Sequence, residues 1–515
     1  MADEGKSLFS SADTPHGFAK RKLVKGYCGG LFGRELEGSK FSKADEDEYT
    51  IGYIDAFCWR GEYDARERKG QGRGVNINSS DEEEDPDDIA KWGSPIIALD
   101  RGLDRCQQMT SKCSMSVLFL AIHFVFNDIQ LDNIKHLYKL TKVWMSKYGW
   151  TREKQFPDLD NETNIQEGQS FSCLWRFDPD LGSPWPIRTT FVAGDFKNIK
   201  IPRAKKTFTF IDPCGIKQIP FDVVNRFLGP GKEVFINLMV WTIRRSSANP
   251  KHENVITKLF GNPEANSVIG SFRKCPEGTC KSKDGLCCTK RAYKKYVKYY
   301  EERISTVCQS EHAKKLQELF GRFFKVPAPE AVHFLFSKGR VDEERGDQFY
   351  MVYLSCDMDL KMVKTMKDAM QPNVQTREGG LRHTDFYSFK GINIPFGRKT
   401  TDEEEKEEIY RYFKGQEISL YDLKYWILVH SPFTFHSRPL QQLEKERYLT
   451  VDTFGDPRSR NNFKATDFSR PRNDWLVTFH NQPQPEPVPT CEFCGHTTKT
   501  KGGMTSHIRN KHSLY

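Results

Sequence analysis

The chain of 515 residues is 37% hydrophobic, 13% aromatic and 29% charged, with a net charge of +9. That apolar content excludes wholesale disorder, near-ordinary Gly and Pro usage excludes collagen-like and low-complexity classes, and the length accommodates roughly two to four domains. No apolar run approaches the roughly 18 residues of a membrane-crossing helix. The charged start at Met1–Ser10 argues against a secretory leader, so the 14 Cys read as reduced thiols of the nucleus or cytoplasm.

A helical lead-in is expected over residues 1–39. From 40 to 375 short runs rich in β-branched and aromatic residues alternate with helix-period stretches, the pattern of an α/β domain. The strand candidates are Thr50–Phe57, Val117–Phe126, Thr189–Ala193, Thr207–Ile211, Lys232–Met239 and Phe349–Ser355, with helices at Asp132–Lys147 and Phe221–Leu228. Strands separated by helices favour a parallel, doubly wound sheet that binds ligands at the strand carboxyl ends. Residues 64–91, polar and then acidic through Asp81-Glu82-Glu83-Glu84-Asp85, read as a flexible insertion.

A second insertion, 273–303, opens with Cys275, Cys280, Cys287 and Cys288, four thiols within fourteen residues. They are either a metal site or a group of buried or reactive thiols. Lys290, Arg291, Lys294, Lys295 and Lys298 then surround Tyr293, Tyr296 and Tyr300 at helical spacing. Such a helix is either a core-facing Tyr stripe with solvated lysines or a phosphate-binding ridge with stacking rings.

Over 376–480 three amphipathic helices (Glu403–Lys414, Leu420–His430, Arg438–Arg447) precede two extended runs, Tyr448–Phe454 and Asp474–Phe479, the outline of a winged helix. A Pro-rich linker, 481–489, leads to a carboxyl-terminal module, 490–515. There Cys491 and Cys494 are followed by twelve residues, His507, four residues and His512, the spacing of a ββα zinc finger. A unit this small folds only when the metal supplies the free energy. Its base-facing positions would be Thr500, Gly503 and Ser506, which favours backbone, RNA or protein contact over sequence-specific DNA reading.

Within the α/β region several motifs fall at strand ends: Asp55-Ala56-Phe57-Cys58-Trp59-Arg60-Gly61, Gly93-Ser94-Pro95, Asp128, Gly194-Asp195-Phe196 and Phe210-Ile211-Asp212-Pro213-Cys214-Gly215. With Ile219-Pro220-Phe221, Asn237-Leu238-Met239, Met366-Lys367-Asp368-Ala369-Met370 and Ser431-Pro432-Phe433, they resemble in order the motifs of the three-Cys-motif partner (TcmP) family. The resemblance spans roughly residues 14–480. It implies a Rossmann-like, class I methyltransferase-type doubly wound α/β sheet using S-adenosylmethionine.

By matching positions, Asp55, Phe57 and Gly61 would line the methionine end of that cofactor, and Asp128 would meet the ribose hydroxyls. Asp195 would accept from the adenine amine with Phe196 beside the ring. Asp212 and Pro213 would occupy the catalytic strand end, where a carboxylate and a carbonyl orient a target amine. Cys214 is either a small buried residue or, by analogy with carbon-5 cytosine methyltransferases, a nucleophile. The family's Ala-Gly-x-Gly is here Cys58-Trp59-Arg60-Gly61, so Trp59 either swings outward or blocks the cofactor. Two functions follow: a zinc-binding methyltransferase-like protein acting on RNA or DNA, or a catalytically silent scaffold that binds nucleic acid or a protein partner. Neither involves a membrane.

Overall fold

The computed structural model describes residues 15–38, 49–61, 92–112, 122–153, 170–177, 186–229, 231–239, 242, 246, 250–260, 332–337, 348–355, 364–365, 368, 383–385, 402–430, 437–452 and 475–484. The chain forms two compact units, residues 1–399 with 428–434 and residues 400–427 with 435–515.

In the first unit, helix α1 (Pro15–Gly38) precedes β1 (Tyr49–Asp55), α2 (Ser94–Lys112), β2 (Ile122–Asp128), α3 (Leu131–Lys147), β3 (Trp150–Arg152), β4 (Ser170–Phe177), β5 (Ile187–Ala193) and β6 (Ala204–Ile211). Then come α4 (Phe221–Asn225), β7 (Lys232–Met239), α5 (Glu253–Phe260), β8 (Val332–Ser337), β9 (Gln348–Ser355) and β10 (His383–Asp385). One ten-stranded sheet takes them in the order β10-β8-β9-β7-β6-β1-β2-β5-β4-β3. The five contiguous strands β7-β6-β1-β2-β5 are parallel to their neighbours, while β4, β3, β9, β8 and β10 join through antiparallel pairs.

The sheet is therefore mixed, where the sequence favoured a parallel one. Its flanks carry short strands that return beside their predecessors. Every residue of β1, Tyr49–Asp55, is buried, as expected of a central parallel strand covered on both faces.

One face of the sheet is an aromatic layer. Tyr53 packs against Phe124, Phe126 and Phe208, and Phe208 against Phe235. Helices α1 and α2 lie on this face: Tyr27 meets Phe208, Phe32 meets Phe124, and a Cβ at Gly102 would come within 2.6 Å of the Phe124 ring. Helix α3 brings Tyr138 against Phe171 and Phe191. On the other face, Gly52 leaves room for Pro202, which would stand 2.8 Å from a Cβ there.

The second unit contains α6 (Asp402–Phe413), β11 (Glu417–Ser419), α7 (Leu420–Tyr425), α8 (Ser437–Lys445), β12 (Leu449–Asp452) and β13 (Leu476–Phe479), and a π-helical turn (Trp426–His430) follows α7 and leaves the unit after Ile427. Its antiparallel sheet has the order β11-β13-β12. Four acids occupy the first turn of α6, complementing the positive end of the helix dipole. The Ser419 hydroxyl caps α7 by accepting from the Asp422 amide at 3.0 Å, supplying one of the orphan donors of a helix start. Gly415, at φ +73°, ends α6. The core joins Ile409, Phe413, Leu423, Leu440, Leu443, Val477 and Phe479, with Phe413 stacked on Phe479 at 5.4 Å. The segment after β13 is tied down: Tyr410 donates to the carbonyls of His480 and Asn481, and the Gln484 amide to Arg447.

No helix among the described residues is long and apolar enough to cross a membrane.

Candidate functional site

The parallel strands reverse direction of growth between β1 and β6: β2 and β5 extend the sheet one way, β6 and β7 the other. In open sheets of this kind crossover connections leave such neighbours toward opposite faces, and ligands usually sit in the crevice outside the carboxyl ends of the strands at the reversal. Asp55 closes β1, Asp128 closes β2, Asp195 follows β5 by two residues and Asp212 follows β6 by one. The register places Asp55 beside Phe126 and Phe210, so all four acids stand along one edge of the sheet.

Asp55 is 0% exposed. Its carboxyl accepts from the Ser94 hydroxyl at 2.6 Å and sits 3.4 Å from the Tyr53 hydroxyl and the Phe57 amide. Burial pushes its pKa up to about 7; the bonds from Ser94, Phe57 and Tyr53 oppose the shift and nearby Asp212 adds to it. Near neutral pH this carboxyl is thus divided between its two protonation states. Burial likewise holds the Cys58 thiol protonated, aided by Asp55 and Asp128.

Asp128 organises the loop after β1. It accepts from the backbone amides of Trp59 (3.2 Å) and Gln130 (2.8 Å) and from the Asn133 side chain (3.0 Å). Burial raises its pKa, against those three bonds. Asn127 adds a further tie, donating to the Ala56 carbonyl at 2.9 Å while its own side-chain oxygen is buried without a hydrogen bond.

The loop itself keeps a glycine-like path. Trp59 has φ 51° and Gly61 φ 82°; the first costs of order 1–3 kcal/mol for a bulky residue. A Cβ at Gly61 would meet Leu137 at 2.5 Å, and the Gly93 amide donates to the Gly61 carbonyl at 2.8 Å. Trp59 is half-buried.

Asp195 is half-exposed and caps the short helix Phe196–Asn198 through the Lys197 amide at 3.0 Å. Phe196 is only 2% exposed, packed against Phe57 and stacked on Phe227. Its ring is thus packed beneath the rim between Phe57 and Phe227. The apolar side chain open at this rim is Ile129, 62% exposed beside Asp128.

At the end of β6, Asp212 accepts from the Asn237 amide at 2.6 Å. Pro213 is buried and Cys214 exposed, which corrects the reading of Cys214 as a small buried residue. Asn237, on β7, is 1% exposed and its side-chain oxygen is buried without a hydrogen bond. Sequence reasoning gave roles to none of Ser94, Asn127, Ile129, Asn133 or Asn237. Ser94 and Asn237 did fall inside quoted motifs.

Cys275, Cys280, Cys287, Cys288, the cationic residues Lys290, Arg291, Lys294, Lys295 and Lys298, and the tetrad Cys491, Cys494, His507 and His512 lie outside the described residues. So does the acidic insertion 64–91. Among the described residues no group of three or more His, Cys, Asp or Glu is placed to hold a metal.

The fold defines an α/β protein built on a large mixed sheet with a parallel centre, compatible with a Rossmann-like fold. No family model matches the chain, and neither a curated protein nor a solved structure matches it.

Proposed function

We propose that the first unit is a class I methyltransferase-type domain that binds S-adenosylmethionine and that the protein acts on, or is bound to, nucleic acid. The observation that carries this reading is the alignment of Asp55, Asp128, Asp195 and Asp212 at the carboxyl ends of four parallel strands across the reversal of strand order. The antiparallel β9, inserted between β7 and β8, supports a methyltransferase-type sheet over a dinucleotide-binding one. A resemblance to the TcmP family agrees with it.

The donor set fits such a ligand. An acid-lined crevice suits a molecule with a sulfonium, an ammonium and ribose hydroxyls, and the orphaned oxygen of Asn127 offers one more acceptor at the same edge. Asp55 would hold the ammonium end, Asp128 would fix the loop and face the ribose, Asp195 would accept from the adenine amine and Ile129 would cover its ring. When bound, the cofactor supplies an electrophilic methyl group. Asp212, oriented by Asn237, would hold a proton-bearing nitrogen of the acceptor at the adjoining strand end.

Isothermal calorimetry of the full chain with S-adenosylmethionine tests this. Binding is expected to tighten as pH rises through about 7, because a cationic ligand favours the ionised form of Asp55. No heat of binding at millimolar ligand would remove the reading. One observation favours a catalytically silent scaffold instead, the bulky Trp59 held at positive φ; binding without methyl transfer to RNA, DNA or protein would select it.

The second unit is proposed as a winged helix. Its element order, helix–strand–helix–helix–strand–strand with the first strand pairing the last, supports this. Cys491, Cys494, His507 and His512 are proposed to bind zinc. One equivalent of metal, lost on Cys491→Ser, is the expected result of elemental analysis.

A further inference from the structure

The connection from β5 to β6 carries no α-helix. It leaves the crevice rim at Asp195, passes over the sheet face opposite α1 and α2 and enters β6 at Ala204. Between Phe196 and Ile211 it holds five cations, Lys197, Lys200, Arg203, Lys205 and Lys206, and no carboxylate. Lys200, Arg203 and Lys205 are exposed. Among the described residues none of these three has an ion pair; Lys197 lies 3.7 Å from Asp195.

This strap is held rigidly from beneath. Ile199 is fully buried, and Phe196 is stacked on Phe227. The Arg226 guanidinium donates to the carbonyls of Lys197 and, at 3.1 Å, Ile199. Pro202 packs over Gly52, the Tyr49 amide donates to the Arg203 carbonyl at 3.0 Å, and the Thr207 amide to Gly231 at 2.8 Å. Apolar side chains point inward and cations outward along an extended path of roughly 16 Å from Lys200 to Lys205. Like charges on a fixed scaffold repel one another without relief, and a polyanion lying along them relieves that repulsion while its counterions are released. The apolar side chains Phe196 and Ile199 are buried and only Ile201 and Pro202 are partly exposed, which leaves a bilayer little to take up here.

We propose that this strap is the track for a nucleic-acid phosphate backbone, leading it toward the crevice mouth, where Phe196 touches Phe57. The inference rests on the nucleic-acid part of the functional reading and names its surface. It does not require the cofactor.

The test is fluorescence anisotropy of the full chain with labelled single-stranded RNA and, separately, duplex DNA, each over a range of salt. One variant combines Lys200→Gln, Arg203→Gln and Lys205→Gln; a control removes the same charge from α3 as Lys139→Gln, Lys142→Gln and Lys147→Gln. With the preferred probe, the strap variant is expected to lower the slope of log affinity against log salt by about 2 for a single strand and nearly 3 for a duplex, while the control keeps the wild-type slope. Equal slopes in the strap variant and the wild type, or equal losses in both variants, would overturn the proposal. So would the absence of salt-dependent binding to either probe, or tighter binding of polyglutamate than of both nucleic acids, which would assign the strap to an acidic protein. Calorimetry with S-adenosylmethionine, run on the strap variant, separates this outcome from failure of the cofactor reading.

Discussion

Two carboxyl groups are buried at opposite ends of the same sheet, and both have pKa values pushed up to about 7 by burial. Asp55 ends β1 at the crevice; Glu233 begins β7 at the far edge. Glu233 is met by a complementary plug, since Tyr27 of α1 donates its hydroxyl to it, and the Tyr27 ring in turn meets Phe208 and Tyr353. Around Asp55 there is a half-buried loop instead, with a tryptophan at positive φ and a neighbouring acid across the strand end. Equal desolvation thus has two uses. At Glu233 it accompanies a helix fixed to the sheet; at Asp55 it accompanies a loop that the proposed function places beside the ligand.

The largest effect expected is at the loop that distinguishes the crevice. Gly61→Ala places a methyl where Leu137 stands at 2.5 Å, on a backbone at φ 82°, and should destabilise the unit by about 2–4 kcal/mol in chemical denaturation. Next, Tyr27→Phe removes the donor to Glu233 and should cost about 1–3 kcal/mol, more at pH 8 than at pH 5, because the ionised carboxylate suffers most.

Third comes the pH dependence itself. A carboxyl whose folded pKa lies above its unfolded value binds extra protons when folded, so the stability it contributes is full below about pH 4 and is lost as pH rises to about 7. Glu233→Gln and Asp55→Asn should each flatten that fall in thermal melts across this window. Only Asp55→Asn should abolish binding of S-adenosylmethionine. If both variants bind it equally, the functional distinction between the two ends fails.

The smallest effect on stability is expected at Asn237. Its buried oxygen lacks a hydrogen bond, so Asn237→Leu trades that cost against the lost bond to Asp212 and should change stability by less than about 1 kcal/mol. On the methyltransferase reading proposed above, methyl transfer should nevertheless fall, because Asp212 loses the group that orients it.

How much of this was legible beforehand differs by element. Strand β7 was read to the residue, because Lys232–Met239 is β-rich and bounded by turn residues. Strands β1, β2, β5, β6 and β9 were located with ends shifted by a few residues. Helix α3 was read from its period; the expected Phe221–Leu228 helix closes after Asn225. Strands β3, β4, β8, β10 and β11 went unread; in all but β4 three to six residues give too little alternation to signal a flanking or edge strand, and the eight-residue β4 was missed although it is long enough to read. Antiparallel flanks follow from pairing, which no local pattern encodes. The four aspartates were legible as acids following strand-like runs. Ser94 lies 39 positions from Asp55, and Asn237 25 from Asp212, so only sheet register and a helix start bring each pair together. The burial of Phe196 was not legible, because an aromatic after an acid gives no sign of whether Phe227 will cover it.

The hydrogen bond from Gly93 to Gly61 has a mechanical meaning. It splices the loop after β1 to the first turn of α2, and a methyl on Gly93 would press within 3.3 Å of the Gly61 backbone. Displacing the stretch around Trp59 would break that bond or carry the start of α2 with it, so the loop is tethered to a helix that in turn packs on α1.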